Sequence, residues 1–170
     1  RYAEILARRL GWDDGACRAI AHTAPMHDIG KIAVPDHILL KPGKLDDADW
    51  GIMRTHPQCG AAILGANGSA LMRMAARIAV SHHEKWDGSG YPFGLAGTAI
   101  PIEGRVVAVA DVYDALMSRR PYKEAWPQDA VVAHLREQAG QHFDPDLVTL
   151  FLESLGDFSS VRLALPDSAG

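Results

Sequence analysis

The stretch Leu71 to His83, LMRMAARIAVSHH, is the most regular in the chain. Leu71, Met74, Ala75, Ile78, Ala79 and His82 recur three and four apart, which lines them along one face of an α-helix. The stripe ends on a pair of adjacent histidines. Working outward from it, the same period returns on both sides. Downstream, Pro101 with Glu103 opens a helix to about Arg119, rich in Val and Ala and so expected in the core. Pro127 to Ala139, stopped by Gly140, and Asp144-Pro145 to Leu155, stopped by Gly156, follow with ordinary start and stop residues. Upstream, Asp46 or Asp47 opens a helix through Trp50, Met53 and His56 that bends at Pro57. A further helix capped by Asp14 runs towards Gly30, with Pro25 breaking it just before His27-Asp28. Arg1 to Leu10 is helical through Tyr2, Ile5, Leu6 and Leu10.

No run alternates apolar and polar residues as a half-buried strand would, so the expected fold class is all-α, a helical bundle. Val34 to Lys44 reads as a connecting loop. Lys85 to Pro101 holds Gly88, Gly90, Gly94, Gly97 and Pro92, too many breakers for regular structure and long enough to suggest function. One domain is expected over 1–156, with a C-terminal tail over 157–170. The first helix starts without a capping residue, which suggests a chain cut from something longer.

With 170 residues, 48% hydrophobic and 22% charged, the composition is that of a soluble globular protein able to bury a sizeable core. A net charge of −4 argues against a basic surface tracking a nucleic-acid polymer, though not against a small anion. No apolar run approaches the roughly 20 residues of a membrane span, and no signal-peptide layout opens the chain. Cys17 and Cys59 lie apart without CxxC spacing, so neither a disulfide framework nor a thiolate metal site is expected, and a reduced intracellular setting fits.

The histidines are unevenly placed. His27 precedes Asp28, His82 precedes His83, His56 lies between the pairs, and Asp111 stands inside the apolar run VVAVADVYDAL. A lone histidine on a helix is usually surface or hydrogen-bonded core. Four segments that each carry a nitrogen or carboxylate donor can instead deliver them to one interior point, and a carboxylate in an apolar helix is costly unless paired or metal-bound. Neighbours on a helix point about 100° apart, so both members of a pair serve one ion poorly and two ions bridged by Asp28 are expected. Such a pair lowers the pKa of water held between the ions towards about 7 and clamps phosphate oxygens, so the expected substrate is a phosphate ester.

Lys31 follows Asp28 by three residues and His27 by four, one face if the helical turn continues, where it can hold a phosphate or protonate a leaving oxygen. Asp111 and Asp114 share a face, and Arg119, Arg120 and Lys123 follow. These cations either favour a helix C-terminus or form a rim that grips a second phosphate. In the loop, Gly88 and Gly90 permit close backbone approach and Tyr91 can stack on a base or cap the core. Trp50 and Trp86 are further aromatic platforms or simply rim residues.

His27-Asp28-Ile29-Gly30-Lys31, the segment HHEKWDGSGYP from His82, and VADVYDALMSRRPYK from Val109 together resemble the HD-GYP phosphodiesterase domain, over about nine tenths of the chain. The resemblance implies an HD-type helical bundle with a GYP loop, a bacterial cytoplasmic setting, and hydrolysis of cyclic di-GMP to pGpG or GMP. It implies metal ligation by His27, Asp28, His56, His82, His83 and Asp111, with Asp28 and Lys31 catalytic. It implies substrate contacts from Lys31, Asp114, Arg120 and Lys123, and from Tyr91 and Gly90 of the GYP loop. Two divalent ions are implied, iron or manganese by family habit, with nickel or zinc chemically admissible for imidazole and carboxylate ligands. An upstream regulatory domain and a GGDEF-type protein partner are also implied. One departure stands out: the family's first helix usually brings a further His, sometimes a Glu, from upstream of the position where this chain begins, so weakened metal retention is expected.

Two other classes compete. A non-catalytic cyclic-dinucleotide sensor or adaptor would have no use for six metal-type residues in register. A general HD nucleotide phosphohydrolase shares the HD pair but leaves the GYP segment and SRRPYK without a purpose.

Overall fold

The computed structural model describes residues 1–65, 68–119 and 124–164. Ten α-helices are present among them: α1 (Tyr2–Arg9), α2 (Asp14–Thr23), α3 (Asp36–Leu39), α4 (Asp47–Met53), α5 (His56–Gly65), α6 (Ala70–Ser81), α7 (Ile102–Met117), α8 (Gln128–Glu137), α9 (Pro145–Glu153) and α10 (Leu155–Ala164). Short 3₁₀ turns cover Ala24–Met26, Ile29–Ala33 and Gly97–Ala99. No strand occurs among the described residues beyond two isolated bridges, Asp87 with Ala96 and Ala139 with Phe143. The all-α expectation holds.

The apolar run of α7 forms the axis of the molecule. Val106, Val107, Ala108, Val109, Ala110 and Tyr113 are all buried against Leu6 of α1, Cys17 and Ile20 of α2, Ile78 of α6, Val131 and Leu135 of α8, and Phe151 of α9. At one end, Tyr113, Tyr2, Phe151 and Phe158 pack ring on ring, with centroids 4.8–5.4 Å apart. Full burial of a side chain of this size stabilises by about 2 kcal/mol. Two ion pairs, the first with its arginine exposed and the second largely buried, tie the axis to its neighbours. Arg77 on α6 pairs with Glu103, and Arg105 donates to Asp144 at the start of α9 at 2.5 Å.

A second layer carries the functional end. α5 lies along α6 through Leu64, Ala75 and Ala79, and the turn Ile29–Ala33 docks on α5. Gly30 and Gly60 permit that docking: a Cβ on Gly30 would come within 1.9 Å of the His56 carbonyl oxygen and 2.4 Å of the Gly60 nitrogen. The turn bearing Asp28 therefore rests directly on the backbone of the helix bearing His56.

Helix ends explain where the sequence reading and the structure part. Asp13, one residue before the expected cap, accepts from the Ala16 amide at 2.8 Å and starts α2. α2 then stops at Thr23, and Pro25 opens a 3₁₀ turn, so the break before His27 occurs but no α-helix reaches Gly30. The helix expected from Asp46 through His56 is two helices. A capping box between Asp46 and Asp49 starts α4, which ends at Met53, and α5 starts afresh at His56 with Pro57 in its first turn. A one-turn helix, α3, lies in the expected loop 34–44. Ser69 caps α6, which ends at Ser81, two residues short of the expected end at His83. The tail drawn from 157 is helical to Ala164, with Phe158 fully buried in the core, so its beginning belongs to the bundle; residues 165–170 lie outside the described residues.

Candidate metal centre

Each candidate ligand sits where a helix begins or ends, with the exception of Asp111 in the middle of α7. His27 closes the turn Ala24–Met26, Asp28 follows it, His56 is the first residue of α5, His82 terminates α6, and His83 lies just beyond. Three of the histidines use one local device. Nδ1 of His27 lies 2.8 Å from the Ala24 carbonyl oxygen, that of His56 lies 2.7 Å from the Met53 oxygen, and that of His82 lies 2.9 Å from the Ala79 oxygen. A carbonyl oxygen only accepts, so Nδ1 carries the proton in each ring and donates it. In the neutral ring, Nε2 is left with an outward lone pair.

Those lone pairs converge on Asp28. Its Oδ1 lies 3.3 Å from His56 Nε2 and 3.7 Å from His82 Nε2. Its Oδ2 lies 3.5 Å from His27 Nε2, which is also 3.5 Å from Asp111 Oδ1. Asp28, His56, His82 and His83 each bring one ligand atom within 4.8 Å of the others. Asp28 Oδ1, His56 Nε2 and His82 Nε2 are sealed from solvent and have no hydrogen-bond partner. Each buried acceptor without a donor costs about 1–3 kcal/mol, and these face one another, which adds repulsion. A divalent cation among them answers all three at once. The donors, imidazole nitrogen and carboxylate oxygen without thiolate, suit first-row divalent metals. The residues fit a metal.

The electrostatics agree. Burial pushes the Asp28 carboxyl towards neutrality, but Lys31 and, when their facing nitrogens carry protons, His56 and His82 outweigh it and hold the group well below the usual carboxylate range; a cation in the cluster would take the place of those protons. Burial likewise opposes ionisation of Asp111, and His27 reverses the balance to leave it ionised. His27 is pulled the other way: burial would lower it, yet Asp111, the Ala24 carbonyl and Asp28 raise it. Burial beside His82 and His56 takes His83 down to about 3, so its imidazole is neutral and free to ligate. Lys31 Nζ donates to Asp28 Oδ2 at 2.5 Å from the 3₁₀ turn, which shows how it shares a side with Asp28 without any continuing α-helix.

The structure also changes one inference about adjacent histidines. His82 and His83 do not point 100° apart on a helix, because α6 ends between Ser81 and His83. Their rings lie 3.9 Å apart and both reach the Asp28 cluster.

The glycine-rich loop is fastened to this cluster. Tyr91 stacks on His83 with ring centroids 4.7 Å apart, and its amide donates to the His83 carbonyl at 3.2 Å. Burial pushes the Tyr91 hydroxyl up to about 12, so it stays a neutral donor. Gly90 is required by contact: a Cβ there would lie 2.3 Å from the Lys85 nitrogen and 2.6 Å from the His83 oxygen. Glu84 had drawn no role from the sequence. It is 2% exposed, and its two carboxylate oxygens accept from the Phe93 and Leu95 amides at 2.8 and 2.9 Å, pinning the far side of the Tyr91 turn. An acid placed directly between the histidine pair and a run of glycines was the available signal.

Of the remaining candidates, Asp114 is exposed and lines, with His27, Asp111, Arg1 and Tyr2, a cleft of about 270 Å³ beside the cluster. Arg119 pairs with Glu124 at 3.1 Å on the surface. Arg120 and Lys123 lie outside the described residues. Trp86 is held by the hydrogen bond its backbone N–H donates to the His142 carbonyl and by Arg105 over its ring, which makes it part of the frame rather than a free platform.

The HD-domain family model matches residues 1–147 of the chain. The chain belongs to the HD-domain family. Among HD-domain relatives, a Vibrio cholerae protein named 3′3′-cGAMP-specific phosphodiesterase 2 is 48% identical over 166 residues, covering 98% of this chain and 32% of its own. The Xanthomonas campestris cyclic di-GMP phosphodiesterase response regulator RpfG is 48% identical over 159 residues, covering 94% of this chain and 42% of its own. The fold resembles the crystal structure of a cyclic GMP-AMP-specific phosphodiesterase of V. cholerae with a TM-score of 0.70 at 16% identity, covering 95% of this chain and 43% of that one. The chain thus spans less than half the length of these proteins. The family recognised from HDIGK, HHE and GYP in the sequence and the one found by comparison agree. Among the described residues, no helix is long and apolar enough to cross a membrane.

Proposed function

We propose that this HD domain is a metal-dependent phosphodiesterase that hydrolyses cyclic di-GMP to pGpG or on to GMP. The observation that carries the reading is the division of Asp28: one oxygen faces His56 and His82, the other faces His27, which also meets Asp111. Asp28 with His56, His82 and His83 would hold one divalent ion and Asp28 with His27 and Asp111 a second, with iron or manganese preferred and nickel or zinc possible for this donor set. When bound, such a pair supplies water of lowered pKa and positive charge against the phosphate oxygens.

The protein's own residues do the rest. The Nδ1–carbonyl bonds hold three rings in one tautomer and orientation, so the ligands need no rearrangement on binding. Lys31 holds its ammonium at Asp28 Oδ2, beside the place for the scissile phosphate, where it binds a phosphate oxygen and hands a proton to the 3′ oxygen as the P–O3′ bond breaks. The second phosphate is assigned to Asp114 with Arg120 and Lys123, and the substrate-side wall beside His83 to Tyr91 with Gly90. A cytoplasmic setting, control by an upstream regulatory domain, and contact with a GGDEF-type partner through the glycine-rich loop complete the proposal.

The test is turnover by protein loaded under anaerobic conditions with Fe(II), Mn(II), Ni(II) or Zn(II), with products separated by chromatography. Cyclic di-GMP converted to pGpG or GMP is the expected result. The names of relatives make 3′3′-cGAMP the second substrate to offer, and nucleoside triphosphates the control. Preference for triphosphates, or tight binding without turnover under every metal, overturns the proposal.

A further inference from the structure

Arg54 occupies the short turn between α4 and α5, two residues before His56. Its guanidinium carbon lies 5.9 Å from the ring centroid of Trp50 and 5.5 Å from that of Tyr91, and Tyr91 stacks on His83. Trp50, Arg54, Tyr91 and His83 therefore form a continuous ladder from the surface, where Trp50 is 43% exposed, to the candidate ligands. Arg54 is itself exposed, and no carboxylate pairs with it among the described residues. Its position at the C-terminus of α4 accounts for a positive charge, which a lysine would provide equally. It does not account for a planar cation flanked by two aromatic rings. Rings beside the guanidinium hold its plane and leave its N–H edge for a ligand.

A planar fork of donors matches a planar pair of acceptors, and guanine presents such a pair as O6 and N7. Adenine offers N7 but sets an amino donor where guanine has O6, so the same fork meets a donor and loses one bond. Resting on the phosphodiesterase reading above, we infer that Arg54 reads the guanine nearest the cleaved phosphate and sets the preference of the site for guanine over adenine. The ladder places it one ring beyond a metal ligand, within reach of a base attached to a phosphate at the metals.

The experiment compares GMP with AMP by calorimetric titration and by quenching of tryptophan fluorescence, on the whole chain and its Arg54→Ala and Arg54→Lys variants, with thermal melting as a folding control. The wild-type protein is expected to bind GMP the more tightly. Arg54→Ala weakens GMP roughly 10- to 100-fold while AMP moves less than about threefold, and Arg54→Lys recovers little of the loss because it restores charge without the fork. Equal weakening of GMP and AMP would assign Arg54 to the phosphate and overturn the inference, as would no change in either. Because binding of a mononucleotide needs no hydrolysis, loss of guanine preference in Arg54→Ala together with no turnover of cyclic di-GMP by wild type would sink the enzymatic proposal and leave the base-reading role standing.

Discussion

Asp28 and Glu84 are acids of one functional end, and their surroundings are opposite. Glu84 is almost wholly buried and satisfied, each oxygen taking one backbone N–H of the glycine-rich loop. Asp28 keeps one oxygen buried with no donor, amid imidazoles that present lone pairs to it. The first arrangement lowers the free energy of the fold as it stands. The second raises it and is repaid only when a cation arrives. Satisfied buried acids hold structure, whereas an acid left unsatisfied among other acceptors marks the place where stability yields to binding.

The comparison breaks most sharply at Asp28. Asp28→Ala should lower phosphodiesterase turnover on the order of 10³-fold or more, since several kcal/mol of charge stabilisation go with the metals, and elemental analysis should find little metal retained. The same variant, metal-free, should shift the melting temperature little, because removing the unsatisfied Oδ1 offsets the loss of the Oδ2 bond to Lys31. A large drop in its melting temperature would place Asp28 with the structural acids.

Next in size is the satisfied pair of Arg105 and Asp144. Arg105→Ala leaves Asp144, 5% exposed, without its cation and should cost about 3–5 kcal/mol in denaturant unfolding. Retained metal in the surviving folded protein would keep this effect apart from that of Asp28. For Glu84→Gln, one amide N–H would meet another donor, and a loss of about 1–3 kcal/mol is expected, with Tyr91 freed from His83. A rise in KM with metal content unchanged is the signature of that loosening, and equal loss of metal would contradict it.

The last effect concerns a half-buried imidazole outside the cluster. Burial, with Lys85 nearby, takes His142 down to about 4, and its ring lies flat on Phe143 at 4.2 Å. In the unfolded chain it takes up a proton near 6.5, so between about 6.5 and 4 the unfolded state binds more protons. Its contribution is present above about pH 6.5 and is lost as the pH falls towards 4, on the order of 2 kcal/mol. Unfolding of metal-free protein across that window should show the slope, to which His83 also contributes, and His142→Gln should reduce it. An unchanged slope would mean the ring is already solvated.

Much of this end was legible in the chain. The stripe of α6, the apolar run of α7 and the Pro25 break predicted helices that bring His82, Asp111 and His27 inward. What misled was the assumption that a helix continues. Taking His82 and His83 as helical neighbours turned them 100° apart, whereas the chain leaves the helix between them. Treating Asp46 to His56 as one helix hid the turn that presents Arg54 and starts α5 at His56. The region after 156 shows weak periodicity, yet Phe158 packs on Tyr2, Tyr113 and Phe151, a contact no local pattern announces.

By itself, the sequence determined the helical class, the residues able to bind metal, and the family they resemble, because periodicity and side-chain chemistry are local properties carried by neighbouring residues. Tertiary structure alone decided which lone pairs meet. Gly30 had to rest against the backbone of His56 and Gly60 to set Asp28 facing that ring, and Tyr91 had to fold back on His83 to bring Arg54 to the mouth of the site. Such convergence depends on where helices stop and how backbones touch, energies shared between segments far apart in the chain and invisible in any one of them.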